Sequence, residues 1–405
     1  MPIEVSVVRD LAALRAIEPA WRDLAQGAGA LFRGPDWLLP WWGAYHNTLG
    51  AELCVLVGRA TADDVQTPGQ FSGQFSLVQP GDIVCIAPFY RRTIKVALLD
   101  TRELRMIGDA GPRPPSLDLL SRPGWEDRAG AALAKKLLDD AESWDLIELE
   151  PLADPSRVRA NLMQRLAAAS FTVESSSSAG GASRIALALA PAEATDGIGV
   201  ITTYGDDLSA LRKGMSALRR LSRLEWSERD EPSPLADPEA MGLLEEVALE
   251  LGKQGRVRLA RLDDAQGEAI AAALVVDDGD RAVVLAMAVD PQAKRASARL
   301  LHAEALAARA RGCIALDVVT GVGDYPLPAL PTSKQPALAV RVWGHTTTAS
   351  VGKTVTSVAR RARRARETPA AAAAQARAAW TKIRSAAASV AHYDRYCLYR
   401  GQLWT

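Results

Sequence analysis

The stretch Gly267–Asp290 constrains the fold more than any other. It reads GEAIAAALVVDDGDRAVVLAMAVD, two apolar runs (Ala269–Val276 and Ala282–Val289) around a polar Asp/Gly turn, which is the signature of two strands joined tightly. The following QAKRASARLLHAEALAARARG reads as a short basic loop and a helix from Ser297 to Arg311, with Gly312 as its stop residue. CIALDVVTGVGDY then gives a further strand, Ile314–Val318. A strand that feeds a small-residue loop and a helix start can hold a phosphate group. The first turn of a helix offers N–H groups without intrahelical partners, at the positive end of its dipole.

The remaining pattern also predicts an α/β chain. Ile3–Val8 alternates as a strand, Asp10 can cap the next helix, and Leu11, Leu14, Ile17, Trp21 and Leu24 mark one apolar helix side. Pro35 can open a helix that carries Trp37, Trp41, Trp42 and Tyr45. Strands are expected at 53–57, 83–88, 93–99, 103–107, 145–150 and 184–189, with Phe89-Tyr90-Arg91-Arg92 as a connection, and helices at 127–140 and 155–169. Helices at 206–225 and 238–251 precede strands at 257–262, 269–276 and 282–289, and a last strand is expected at 337–343.

A chain of 405 residues is long enough for two or three domains. The pattern divides at 190–199 and again near Thr346, giving units 1–190, 191–345 and an Ala/Arg-rich helical extension, 346–405. Acidic and basic residues balance at 48 each, so no whole-protein charge argues for nucleic acid. The bias is local: 353–384 carries nine basic residues against Glu367 alone, and suits an anionic surface or a protein partner as well as a solvated helix face. Cys54, Cys85, Cys313 and Cys397 fit no zinc spacing, and the four histidines give no metal constellation, so no metal is expected. No apolar run reaches a membrane span and the start does not read as a signal peptide. The expectation is a soluble cytoplasmic protein, with the basic extension able to draw it to the inner face of a membrane.

The segment VDPQAKRASARLLHAEALAARARGCIALDVVTGVGDYP resembles the acyltransferase domain of the GNAT superfamily, in particular the BioF2-like, CelD-type proteins related to FemAB aminoacyltransferases. The early FRGPDWLLPWW, with Trp21 before it, and the strand Trp144–Leu149 are similar to that family's pattern too, so the likeness spans roughly residues 5–345. The resemblance implies tandem GNAT-like (FemAB-like) mixed-sheet domains and transfer of an acyl group from acyl-CoA, acetyl-CoA by preference, to a sugar, amino sugar or cell-envelope precursor in polysaccharide biosynthesis. A homodimer stays open. Two positions depart from the family: Ser297-Ala298-Arg299 stands for Ser-Pro-Gly, and Tyr325-Pro326 for Tyr-Lys.

On this reading Met287, Ala288 and Val289 run beside the pantetheine arm, and Gln292, Lys294, Arg295, Ser297 and Arg299 surround the diphosphate. Asp317 is the candidate proton acceptor, Tyr325 the candidate donor to the leaving thiolate, and Asp324 competes for either role. Trp37, Trp41, Tyr90, Arg91 and Arg92 are candidates for the acceptor side, where aromatic faces suit sugars and arginines suit anions. Each has an ordinary alternative: a core strand, a solvated loop with Ser297 as helix cap, an Asp317 that orders the GVG loop, a packed aromatic core, or exposed hairpin arginines. Three functions remain open. The first is the acyl-CoA-dependent transferase. The second is a noncatalytic descendant that binds a glycan or protein. The third is aminoacyl transfer from charged tRNA, which the Arg-rich helix 212–223 and the basic tail could contact, although the body carries no net positive charge.

Overall fold

Local signals fix the first elements. Asp10 accepts the Ala13 N–H at 2.8 Å and caps α1 (Leu11–Ala16) after β1 (Ile3–Val8). The one helix expected over 11–24 is two, because Ile17 ends α1 and α2 (Glu18–Gly27) begins anew; Leu14, Trp21 and Leu24 are nonetheless all buried. Pro35 opens α3 (Pro35–Leu49), where its missing N–H is not needed, and Gly50 closes the helix at φ 58°.

The computed structural model describes residues 3–27, 31–62, 78–96, 99–112, 114–153, 155–187, 200–204, 207–227, 233–293, 295–319, 330–346, 348–355 and 357. The chain continues through β2 (Glu52–Leu53), β3 (Val55–Ala60), β4 (Ile83–Ala87), β5 (Phe89–Val96), β6 (Leu99–Met106), β7 (Leu120–Ser121), α4 (Glu126–Asp139), β8 (Leu146–Leu152), α5 (Arg157–Ala168) and β9 (Thr172–Ala186). It goes on through β10 (Val200–Tyr204), α6 (Leu208–Ser227), α7 (Pro238–Gly252), β11 (Val257–Asp263), β12 (Ala269–Asp278), β13 (Arg281–Val289), α8 (Ala296–Ala310), β14 (Ala315–Val319) and β15 (Thr332–Trp343).

The fold is mixed α/β. Strands β1-β3-β4-β7 form one small sheet, and eleven strands form a second in the order β10-β11-β12-β13-β14-β9-β15-β8-β6-β5-β2. The two halves of the chain interlock at its centre: β9, from the first half, lies between β14 and β15, and β15, from the second, lies between β9 and β8. Two expectations need correction. Phe89–Arg92 is not a connection but the start of β5, paired with Arg105 and Leu104 of β6 through Tyr90 and Arg91. The strand expected at 184–189 is the end of β9, which runs from Thr172.

Helices cover both faces of the second half. Leu300, Leu301, Ala305 and Ala308 of α8 share a core with Ala282, Val284, Met287 and Val289 of β13. Leu211, Met215, Leu218 and Leu221 of α6, with Leu244, Val247 and Leu251 of α7, share the other core with Val283, Leu285, Ala286 and Ala288. Among the described residues no helix is long and apolar enough to cross a membrane. Of the basic extension expected at 346–405, residues 348–355 are helical, and the part beyond residue 357 lies outside the described residues.

Candidate active site

Strands β13 and β14 run parallel and pair from Arg281↔Ala315 to Val284↔Val318. There the register ends, one residue before β14 does, while β13 continues from Leu285 to Val289. On its other side β13 carries a bulge: Leu274 faces Ala286 and Val275 faces Val284, so Leu285 is the extra residue. A bulge bends a strand and increases its twist. The bend and the end of pairing fall at the same place, and Met287, Ala288 and Val289 lie beyond it. Their side chains are buried between the helices on either face.

The chain leaves β13 in two turns. The Ala293 N–H donates to the Asp290 carbonyl at 2.9 Å, and the Ala296 N–H to the Ala293 carbonyl at 3.1 Å. Arg295 is the N-cap of α8 in the left-handed conformation (φ 67°, ψ 5°) and makes no side-chain cap bond. A left-handed arginine costs about 1 kcal/mol relative to glycine, and a left-handed residue before a helix turns successive N–H groups toward one point, a concavity suited to anions. Arg295 is exposed and Arg299, one turn on, is half-buried. Ser297, expected as the cap, is instead the second helical residue and is buried. Gln292 is exposed, and its N–H donates to the Asp290 carboxylate at 2.9 Å. Lys294 lies outside the described residues, as do Asp324 and Tyr325.

Asp317 is held elsewhere. Leu316 and Val318 belong to the core under α8, so strand alternation directs Asp317 to the opposite face. Its oxygens accept from Arg184 Nε at 2.7 Å and Nη2 at 2.8 Å, with Arg281 Nη1 at 3.7 Å. Arg184 lies directly across from it on β9. The fork-to-fork geometry ties β14 to β9 and raises the Arg184 pKa through the hydrogen bond to Asp317.

One acid stands where the sequence reading named none. Glu225, on the last turn of α6, is 6% exposed, and its carboxylate accepts the Val289 N–H at 3.3 Å. A fold contact therefore brings a buried carboxylate to the end of β13. The signal in sequence was a single acid interrupting the apolar and basic faces of α6, at the spacing that continues Leu218 and Leu221 on the inner side.

The remaining candidates pack together in the first half. Trp37, Trp41 and Tyr90 are 0% exposed. Trp41 lies between Tyr45 and Tyr90, at ring separations of 5.4 and 5.6 Å, and its indole N–H donates to the Ala110 carbonyl at 2.8 Å. Trp37 meets Phe32 edge-on at 5.3 Å, so these rings pack against other core rings rather than at a surface. Arg91 pairs with Glu52 at 2.6 Å and Arg92 with the buried Glu103 at 2.7 Å. Among the described residues no group of three or more His, Cys, Asp or Glu is arranged to hold a metal.

No curated protein matches the chain. Among solved structures it is similar to FemX (12% identity, TM-score 0.48, covering 80% of this chain and 95% of that one). A tandem GNAT protein from the clavulanic acid biosynthesis pathway is also similar (13% identity, TM-score 0.43, 84% of this chain and 98% of that one). So is a C-terminal domain of a lysylphosphatidylglycerol synthetase from Agrobacterium fabrum (10% identity, TM-score 0.41, 67% and 85%). Residues 184–326, which run from the end of β9 through α6, α7, β13 and α8 to just beyond β14, match the family model of the acetyltransferase (GNAT) domain.

Proposed function

We propose that the chain transfers an acyl group from acyl-CoA to an amine or hydroxyl acceptor, at the gap where β13 outruns β14. The observation that carries the reading is the continuation of β13 from Leu285 to Val289 past the last parallel pair, followed after two turns by the left-handed entrance of α8. The match of residues 184–326 to the acetyltransferase domain family supports it. In this reading Arg295, Arg299 and the first amides of α8 take the diphosphate, and Met287–Val289 flank the pantetheine arm. The acceptor nitrogen or oxygen attacks the thioester carbonyl, the C–S bond breaks, and the thiolate leaves. Glu225 takes the acceptor proton, since its carboxylate is buried at the end of β13, whereas the Asp317 oxygens are engaged by Arg184. Asp317 then anchors the sheet, and Tyr325 or Asp324 supplies the proton to the thiolate. Units 1–190 and 191–345 contribute to the one large sheet, and the donor is acetyl-CoA or a longer acyl-CoA. The acceptor class from the family likeness is a sugar, amino sugar or envelope precursor.

A binding protein without turnover is the second reading. It is favoured by Asp290, whose carboxylate takes the Gln292 N–H inside the very loop that must donate to a diphosphate. Calorimetry with acetyl-CoA and longer acyl-CoAs separates the two. The transferase reading expects saturable binding, weakened about tenfold or more by Arg295→Ala and by Arg299→Glu, and product formation on mixing donor and acceptor. A flat titration for every donor removes it.

A further inference from the structure

The outer side of α6 carries an unusual charge pattern. Its inner residues Leu211, Met215, Leu218 and Leu221 are buried, whereas Arg212, Lys213, Arg220 and Arg223 are exposed and Arg219 is half-buried. Two adjoining cavities follow this side. One, of about 820 Å³, lies between α6 and the β11–β12 turn and is lined by Arg212, Lys213, Ser216, Arg220, Arg261 and Glu268, among others. The second, of about 520 Å³, shares Ser216 and Arg220 and continues to Arg219, Arg223 and Ser227. From Ser209 to Ser227 the groove is about 27 Å long at the rise of an α-helix.

Compensation within the groove is partial. Arg261 is bonded through both Asp263 oxygens at 2.8 Å, and Arg220 donates to the Ala269 carbonyl at 2.8 Å with Glu268 at 3.8 Å. Arg212, Lys213, Arg219 and Arg223 have no acidic partner among the described residues. The Arg219 Nε is buried with no hydrogen-bond acceptor among the described residues, a state that costs free energy and favours an incoming acceptor. The groove ends at Leu224 and Ser227, and its β-side wall, Glu268 and Ala269, sits at the start of β12, where Ala271 pairs with Val289 of β13; the Glu225 carboxylate lies on the inner side of α6 and lines neither cavity.

We propose that this groove binds the acceptor through clustered phosphate groups, so that the acceptor of the proposed transfer is a phosphate-bearing molecule laid along α6. The inference rests on the transferase reading for the word acceptor, but not for the binding itself. Guanidinium groups in a row match phosphate oxygens in bidentate fashion. Among the described lining residues there is no aromatic ring on which a nucleic-acid base would stack.

The test titrates the full chain with tripolyphosphate, inorganic phosphate, and vesicles of phosphatidylcholine and phosphatidylglycerol in equal parts, with a short RNA duplex as competitor. The expected result is binding of tripolyphosphate about tenfold tighter than inorganic phosphate, weakened about tenfold or more in Arg219→Ala/Arg223→Ala and in Arg212→Glu, and unchanged in Lys135→Ala on α4. Thermal melting checks that the variants fold. Groove-dependent binding of tripolyphosphate supports a soluble phosphate-bearing acceptor. Groove-dependent binding of vesicles alone supports the same chemistry presented as a lipid headgroup. The proposal is overturned if neither binds, if the variants bind as the parent does, or if only the RNA duplex binds. Acetyl-CoA affinity, measured on the same samples, should not move in the groove variants. Its absence in the parent protein, with groove binding intact, sinks the transferase reading and leaves the phosphate site standing.

Discussion

The Glu225 carboxylate accepts the backbone N–H of Val289 at 3.3 Å, joining the last turn of α6 to the last residue of β13. The contact crosses 64 residues of sequence and lands on the strand segment that β14 no longer accompanies. In the proposed transfer this carboxylate, fixed to the strand end, is the group that takes the acceptor proton.

Glu225→Gln keeps the size and the acceptor oxygen, so Val289 remains bonded while the proposed proton acceptor is gone. The expected outcome is a fall in kcat of about 10²–10⁴, with acyl-CoA affinity within twofold of the parent and a lost acidic limb in the pH–rate profile. A variant that instead loses acyl-CoA affinity and melts early with unchanged kcat would make Glu225 a structural tie alone.

The buried pair Arg258–Glu304 sits beneath α8, both residues at most 1% exposed, with Nε to Oε2 at 3.4 Å; Asp277 takes the Arg258 Nη1 at 2.8 Å. Burial pushes the Glu304 carboxyl up, and Arg258 only partly restores it. A raised carboxyl pKa means the folded state holds its proton longer than the unfolded chain. Stability from this group is therefore lost as pH rises from the unfolded value through the folded one. Glu304→Gln should flatten that decline in denaturant titrations run across the acidic to neutral range. Arg258→Met leaves a buried carboxylate alone and is expected to cost about 3–5 kcal/mol, most of it recovered in the Arg258→Met/Glu304→Gln double variant. Equal losses in the single and double variants would contradict the assignment.

Asp145 gives the opposite sign. Burial pushes its carboxyl up, but the Arg102 side chain, Thr346 and the Arg102 backbone N–H outweigh burial and hold it below the usual carboxylate range. The bonds are Arg102 N–H at 2.8 Å, Nη2 at 3.0 Å and Thr346 Oγ1 at 2.6 Å. A depressed carboxyl contributes stability above its unfolded pKa and loses it as pH falls through the folded value. Asp145→Asn should destabilise by about 1.5–3 kcal/mol at neutral pH, and the gap from the parent should close in strong acid. A gap constant with pH would mean the loss is one of packing.

How much of this was legible in the chain depends on the range of the cause. The Asp10 cap, the Pro35 start and the turn between β12 and β13 are written within a few residues, and the sequence pattern located each. So is the end of α8, where Gly312 takes φ 88°. Strand β9 was mostly invisible because TVESSSSAGGASRIA has few of the β-branched and aromatic residues that mark strands. It becomes a central strand through its neighbours. A Cβ on Gly181 would lie 2.4 Å from the Gln335 carbonyl oxygen, so only glycine lets β15 pass there, and β15 shifts register at Pro336–Leu338 beside it. Asp317 was readable as a buried acid at a strand end, but its partner Arg184 lies 133 residues away. Pairing at that distance is fixed by topology, not by local pattern. The same holds for Trp41, whose neighbours Tyr90 and Ala110 are set by the return of β5 and β6.

Two glycines in neighbouring helices allow one change to be read with both signs. A Cβ on Gly214 of α6 would lie 1.8 Å from Leu259 Cδ2 and 2.9 Å from its Cγ, so α6 rests on β11 through the missing side chain. Glycine in a helix interior costs about 1 kcal/mol relative to alanine, and that gain is available only where the methyl has room. Gly242 of α7 has nothing within 4 Å of the same position. Gly242→Ala is therefore expected to stabilise by about 0.5–1 kcal/mol, while Gly214→Ala forces Leu259 or the helix itself to move and is expected to cost about 1–3 kcal/mol from overpacking, less the propensity gain. Lifting α6 also carries Glu225 away from Val289 and shifts the arginine row above it. The Gly214 variant should thus lose tripolyphosphate affinity as well as stability, and the Gly242 variant should lose neither. Stabilisation by both changes would mean that α6 is free to move on its sheet, and that the Glu225 contact is not held by helix packing.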